Sequence, residues 1–275
     1  MKTRIISGAV GLVILAAVLM LHTTLVFPIG LWAVGSLMAY EMISSQSLKK
    51  EYFYIGLTSL YILFCVFLPR LSAAFEAFHG AVPYIAATFA YIVISQFFVL
   101  FRHSDFTLGK YYICLAYSVL IALCMLSLAI MEYGNGGRGV ANMILAFMGA
   151  WVADSGAYFA GTFLGKHKLS PQISPKKTVE GLIGGAAANA AVFAIYALVR
   201  NKILGDMLHP VILAVIGIIC CFLGLLGDLT ASLIKRDCGI KDYGNIMPGH
   251  GGAMDRFDSL VYITPFFVFV LGGLL

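Results

Sequence analysis

Nine stretches of this chain are almost unbroken in apolar side chains: Ile5–Leu21, Thr24–Tyr40, Tyr52–Phe67, Pro83–Leu100, Tyr111–Met131, Asn142–Leu164, Gly181–Val199, Pro210–Gly227 and Ser259–Leu275. Each approaches the roughly 20 residues with which a helix crosses the hydrocarbon core of a bilayer, where only a helix satisfies its own backbone polar groups. The pattern predicts an all-α integral membrane protein, a polytopic helical bundle with about nine transmembrane helices. Only Gly165–Glu180 and Asp228–Asp258 make long connections. No internal repeat and no Pro- or Ser-rich linker interrupts the runs, so a single polytopic membrane domain, 1–275, describes the chain. Within it, 1–140 offers little besides hydropathy, and 142–275 holds both long loops and most of the unusual polar residues.

The polar positions between runs orient the bundle. Lys2 and Arg4, Lys49 and Lys50, Arg102 and Lys110, Lys166, Lys168, Lys176 and Lys177, and Lys235, Arg236, Lys241 and Arg256 all fall on one side. Arg70, Arg138, Arg200 and Lys202 fall on the other. Cytoplasmic loops collect lysine and arginine, so the N-terminus and both long loops are expected in the cytoplasm and the C-terminus outside. Merging the first two runs into one span would destroy this alternation.

Composition agrees with the pattern. Of 275 residues, 61% are hydrophobic and 11% charged, with a mean hydropathy of +0.94; a soluble domain carries about 25% charged residues. A water-soluble domain, a coiled coil, a disordered chain and a nucleic-acid binder are excluded on these grounds. The net charge of +5 is the lysine and arginine of the cytoplasmic loops. Cys65, Cys114, Cys124, Cys220 and Cys221 lie in apolar runs and Cys238 in a polar loop, without zinc-like spacing or a CxxC pair; they read as small hydrophobes. Met1–Leu21 lacks a small-x-small cleavage site, so an uncleaved first span is expected.

Three polar constellations stand against this background. Asp154 lies about mid-way along the sixth run, with Ser155, Tyr158 and Thr162 near the same helical face and Gly156, Gly161 and Gly165 leaving room for close packing. An acid at that depth faces a cavity or a partner, and a structural bond to a neighbouring helix is the plainer alternative. In the loop that follows, two Ser-Pro turns, Ser170-Pro171 and Ser174-Pro175, hold Lys176 and Lys177 just before a helix start that Ser174 or Thr178 could cap. Lysines beside a helix N-terminus suit a phosphate chain; an ordinary headgroup-facing loop is the alternative. The densest stretch follows the eighth run. If that helix continues, Asp228, Ser232, Lys235 and Arg236 share one stripe, and Pro248-Gly-His250-Gly251-Gly252 then leads to Asp255, Arg256 and Asp258. Carboxylates among cations beside a glycine-rich turn fit a magnesium-bound nucleotide phosphate.

Ser232-x-Ile234-Lys235-Arg236-x4-Lys241-Asp242-x-Gly244, followed by Pro248-x-His250-Gly251-Gly252-x2-Asp255-Arg256-x-Asp258, resembles the C-terminal motif of the phosphatidate cytidylyltransferases, or CDP-diacylglycerol synthases. Ala153-Asp154-Ser155-Gly156-Ala157-Tyr158 and Ser174-Pro175-Lys176-Lys177-Thr178-x-Glu180-Gly181 are similar to that family's central segments. The likeness covers about the C-terminal half; Met247 and Ala253 depart from the family's usual apolar residues and leave the charged and glycine positions intact. The resemblance implies that CTP and phosphatidic acid give CDP-diacylglycerol and pyrophosphate in phospholipid biosynthesis. It also implies magnesium held by Asp228 and Asp255, with a second cation an open alternative.

With that chemistry, Asp228, Asp255, Lys235 and Arg256 are the expected catalytic residues. Lys176, Lys177, Ser232, Arg236, Lys241, His250, Gly251, Gly252 and Asp154 are expected to bind substrate, Asp154 as the site wall or as a holder of the second cation. The expected partners are CTP, phosphatidic acid and the lipid bilayer, with no nucleic acid and a homodimer left open. The expected location is the cell membrane, multi-pass, with the active site facing the cytoplasm. Two rivals remain: a cytidylyltransferase for another lipid phosphate, and a transporter of an anionic substrate. A transporter should gather its polar groups near the midplane of several helices, whereas here they collect in two loops. The D-x2-D-G-x2-A-R pattern of CDP-alcohol phosphotransferases is absent.

Overall fold

A computed structural model of the chain describes residues 2–48, 50–102, 107–134, 138–205, 207–247, 249 and 251–274. It is built of helices α1 (Lys2–Met20), α2 (Val26–Ser45), α3 (Tyr52–Ala74), α4 (Val82–Phe101), α5 (Leu108–Gly134), α6 (Gly139–Leu164), α7 (Val179–Leu204), α8 (Pro210–Asp237), α9 (Met254–Phe257) and α10 (Leu260–Leu274). Two short strands, β1 (Lys168–Ser170) and β2 (Ser174–Thr178), interrupt them. Each apolar run coincides with a helix. Among the described residues, the seven helices α2 to α8 are long and apolar enough to cross a membrane, and α10 adds a shorter apolar stretch, Leu260–Val270. The chain is a polytopic helical membrane protein.

One local reading needs correction, and two helix ends are now defined. The connection after α6 is an antiparallel hairpin, with Lys168 opposite Thr178 and Ser170 opposite Ser174; only Pro171 sits in a turn, while Ser174-Pro175 opens a strand. A residue before proline is pushed into extended backbone, and so Ser170 ends one strand and Ser174 starts the next. The eighth helix does continue past its apolar run: α8 reaches Asp237, so Asp228 lies inside it; Lys235 and Arg236 occupy its last turn, where cations offset the helix dipole. Asp255 precedes the last long helix. It belongs to the one-turn α9, which a turn at Asp258–Ser259 separates from α10.

The chain divides into two compact units, one of residues 1–140, 237–257 and 271–275, the other of 141–236 and 258–270. In the first, α2, α3 and α5 pack on one another, α4 lies against α3, and α9 against α2. Met38, Met42, Tyr54, Ile62, Tyr111 and Ile121 are fully buried there. Two hydroxyl pairs lie in its interior, where polar groups need partners: Thr58 with Tyr91 at 2.9 Å, and Tyr111 donating to Ser95 at 2.9 Å.

In the second unit, α6 and α7 meet through small residues. A Cβ on Gly156 would strike Ala188, and one on Gly184 would strike Ala160, the close backbone approach that small residues permit between membrane helices. Asn189 in α7 donates to Gly149 O (2.8 Å) on α6 and Gly217 O (3.1 Å) on α8, tying three helices with one buried amide.

Candidate active site

The second unit holds a charged cluster built on the hairpin and on α8. Thr178 ends β2 and caps α7, its hydroxyl accepting the Gly181 N–H at 3.1 Å. Glu180, in the first turn of α7, accepts the amides of Lys166 (3.1 Å) and His167 (3.2 Å) and pairs with the His167 ring at 2.6 Å. These bonds clamp both ends of the hairpin to the start of α7. Lys176 and Lys177 are thereby held on the wall of a cavity of about 200 Å³, lined also by Asp154, Tyr158, Thr178 and Leu182. Lys177 Nζ forms an ion pair with Asp228 Oδ2, and Asp228 Oδ1 accepts the Ser232 hydroxyl one turn along α8 at 3.2 Å. The expected stripe on α8 therefore exists. Arg236, in the last turn of α8, is exposed, and neither Ser155 nor Thr162 lines the cavity. The Thr162 hydroxyl bonds instead to Tyr158 O within α6 at 2.7 Å.

Asp258 joins this cluster. Gly227 allows it, since a Cβ there would collide with the Asp258 backbone where that segment lies against α8. Burial, followed by the charges of Asp228 and Asp154, pushes the Asp258 carboxyl up to about 7, against the lowering effects of the Ser259 amide and Lys235. Lys235 is itself buried.

The first unit holds the glycine-rich loop. Asp255 Oδ2 accepts two main-chain amides, Tyr243 at 2.8 Å and Gly252 at 3.0 Å. Gly251 has φ +86°, and a Cβ there would meet the Asp255 carboxyl, so glycine serves twice, in backbone conformation and in space. Met247 and Gly251 form a β-bridge across the turn. Gly251, Gly252 and Asp255 are buried, while Lys241 and Arg256 are exposed; His250, expected to bind substrate, lies outside the described residues. One further acid belongs to this loop and was missed in the sequence: Glu41 of α2, 3% exposed, accepts the amides of Ala253 and Met254. Its signal was an acid inside an otherwise apolar run.

A profile of the cytidylyltransferase family matches residues 2–273 of the chain. The chain belongs to that family. This cytidylyltransferase is 35% identical over 276 residues to a phosphatidate cytidylyltransferase of Bacillus subtilis (strain 168), covering 98% of this chain and 97% of the relative. It is 31% identical over 270 residues to one from Staphylococcus haemolyticus (strain JCSC1435), covering 96% of each. It is also 39% identical over 169 residues to one from Staphylococcus saprophyticus, covering 56% of this chain and 64% of the relative. The likeness thus extends over the first five helices, beyond the C-terminal half in which the motifs lie.

The donor chemistry of the α8 cluster fits a hard divalent cation. Among the described residues no three His, Cys, Asp or Glu side chains are grouped to hold a metal ion by themselves. Magnesium, however, is held by one or two carboxylates and completes its octahedron with water and substrate phosphate. Burial first, and then the charges of Asp228 and Asp154, raise the Asp258 carboxyl, and a cation would offset the part that comes from those charges. In this cytidylyltransferase Lys176 and Lys177 can neutralise phosphate oxygens beside that carboxylate group, and charge-assisted bonds of this kind are the strong ones.

Proposed function

We propose that this cytidylyltransferase joins CTP to phosphatidate, giving CDP-diacylglycerol and pyrophosphate. One observation carries the reading: a two-lysine wall beside Asp228, in a chain similar over nearly its whole length to phosphatidate cytidylyltransferases. A phosphate oxygen of phosphatidate attacks the α-phosphorus of CTP. That P–O bond forms as the bond from the α-phosphorus to the β-bridging oxygen breaks, and the electron pair leaves with pyrophosphate. The nucleophile is already anionic, so no strong base is needed; positioning and neutralisation of phosphate charge supply most of the rate. Lys176 and Lys177 are assigned to the triphosphate, with Ser232 orienting Asp228. Lys235, Arg236, Lys241 and Arg256 are further phosphate contacts, with the turn at Gly251 and Gly252 as part of the same substrate site. Asp154 is assigned to the site wall.

Magnesium is proposed as the cofactor, with Asp228 as a ligand on the strength of its carboxylate neighbours and Asp255 as a ligand on the motif resemblance. When bound, the ion would neutralise phosphate oxygens as pyrophosphate departs. The fuller topology is proposed as nine spans in the cell membrane, with the N-terminus and both long loops cytoplasmic and the C-terminus outside. It is supported by the basic-residue asymmetry; cysteine labelling at His22 and Gln172 should report opposite sides, and equal sidedness would overturn it. The activity itself is tested with purified protein, labelled CTP and a panel of lipid phosphates. Phosphatidate should become the labelled liponucleotide, with EDTA abolishing and magnesium restoring it. Preferential labelling of another lipid phosphate would favour the closest rival.

A further inference from the structure

Glu41 is an acid without an obvious reason to be where it is. It lies in α2 between apolar neighbours and is 3% exposed, and burying a carboxyl group in a membrane helix is expensive. Its two oxygens are used separately. Oε1 accepts the Ala253 amide at 3.1 Å and Oε2 accepts the Met254 amide at 2.8 Å, so one side chain meets two consecutive buried N–H groups. Gly244 and Gly252 border the same carboxyl group, and a Cβ on either would run into it. The glycines of this loop therefore leave room for Glu41. Asp255 meets two more amides, those of Tyr243 and Gly252. Four main-chain donors between Tyr243 and Met254 thus end on two carboxyl groups, one in the loop and one brought by α2. A buried amide that loses its acceptor carries the full desolvation cost, so the loop depends on α2 for its course.

We propose that Glu41 is a positioning residue for cytidylyl transfer: from α2 it fixes the backbone of the Gly252–Asp255 turn and, through it, the placement of Asp255 and Arg256. The inference rests on the function proposed above. It assigns to the first 140 residues a positioning part in the reaction, although none of the motif residues lies there.

The test uses the full chain in detergent micelles and the variants Glu41→Asp, Glu41→Gln and Glu41→Ala, with Glu76→Gln, on an exposed 3-10 turn, as the control. Glutamine has the same length but turns an NH2 toward an N–H, so one acceptor becomes a donor. Glu41→Gln should exchange the Ala253 and Met254 amide hydrogens about tenfold faster or more, with exchange in α3 and α5 and the melting temperature unchanged. Its kcat should fall about tenfold or more while KM for phosphatidate stays within about twofold. Glu41→Asp, which keeps both acceptors on a shorter stem, should recover part of kcat, and Glu41→Ala should be the slowest. A parental kcat in Glu41→Gln would overturn the proposal. So would a loss of rate that tracks a falling melting temperature and faster exchange throughout the unit. A parent protein that turns over no CTP would overturn the proposed function and this role together, whereas fast exchange confined to the loop would still report the anchor.

Discussion

Asp228 and Asp255 belong to the same polar region of the sequence and are read there as equivalent metal ligands, yet they keep opposite company. Asp228 faces side chains: the Lys177 ammonium, the Ser232 hydroxyl, and the charge of Asp258. Asp255 faces main chain, with one oxygen on two amides. A carboxylate among side-chain partners can exchange them when a cation or a phosphate arrives. A carboxylate on backbone amides holds its own loop in shape, and moving it moves the loop. The difference teaches that identical substitutions at the two positions should fail in different ways.

The largest effect should come from Asp255. Asp255→Ala removes both charge and anchor, so it should abolish turnover and also speed hydrogen exchange at Tyr243 and Gly252. Asp255→Asn retains an oxygen for the two amides; it should keep their protection yet still lose nearly all turnover. Loss of protection in Asp255→Asn would mean that the two carboxylates differ less than their surroundings indicate.

The hairpin lysines come next. Each charge-assisted contact is worth roughly 1.5–3 kcal/mol, so Lys176→Ala with Lys177→Ala should raise KM for CTP by a factor of about 100 or more and leave KM for phosphatidate little changed. An unaltered CTP dependence would return the hairpin to an ordinary headgroup-facing loop. Lys177→Ala alone should also release Asp228 from its ion pair.

The smallest effect is on stability. Asp258 holds its proton up to about pH 7 in the folded protein, whereas an unfolded aspartate loses it near pH 4. Between those values the folded state binds more protons, so stability should fall as pH rises from about 4 to about 7 in the absence of metal. Asp258→Asn should flatten that fall in thermal melts recorded in EDTA, and a slope equal to the parent's would place the repulsion elsewhere.

The helices were legible because a bilayer demands one signal, a long apolar run, and the nine runs supplied it. The α8 stripe was legible for a similar reason, since Asp228 and Ser232 are one helical turn apart and do meet. The hairpin was not, because a three-residue strand leaves no periodicity and Ser-Pro marks extended backbone as readily as a turn. Glu41 was not either: its partners are the amides of residues 253 and 254, and backbone donors leave no trace in a residue pattern. The motif showed which loops matter but not what holds one of them in place.

The most direct measurement is the turnover of Asp228→Asn, fully inserted and with the parent's melting temperature, across a magnesium titration. The account predicts loss of nearly all activity, not rescued by excess magnesium or manganese, because the substitution removes the negative charge that the cation binds. If Asp228→Asn kept more than about a tenth of parental activity, the barrier would have changed by less than ~1.4 kcal/mol. That is too little for a metal ligand, and it would contradict the assignment of the α8 cluster as the cation's home.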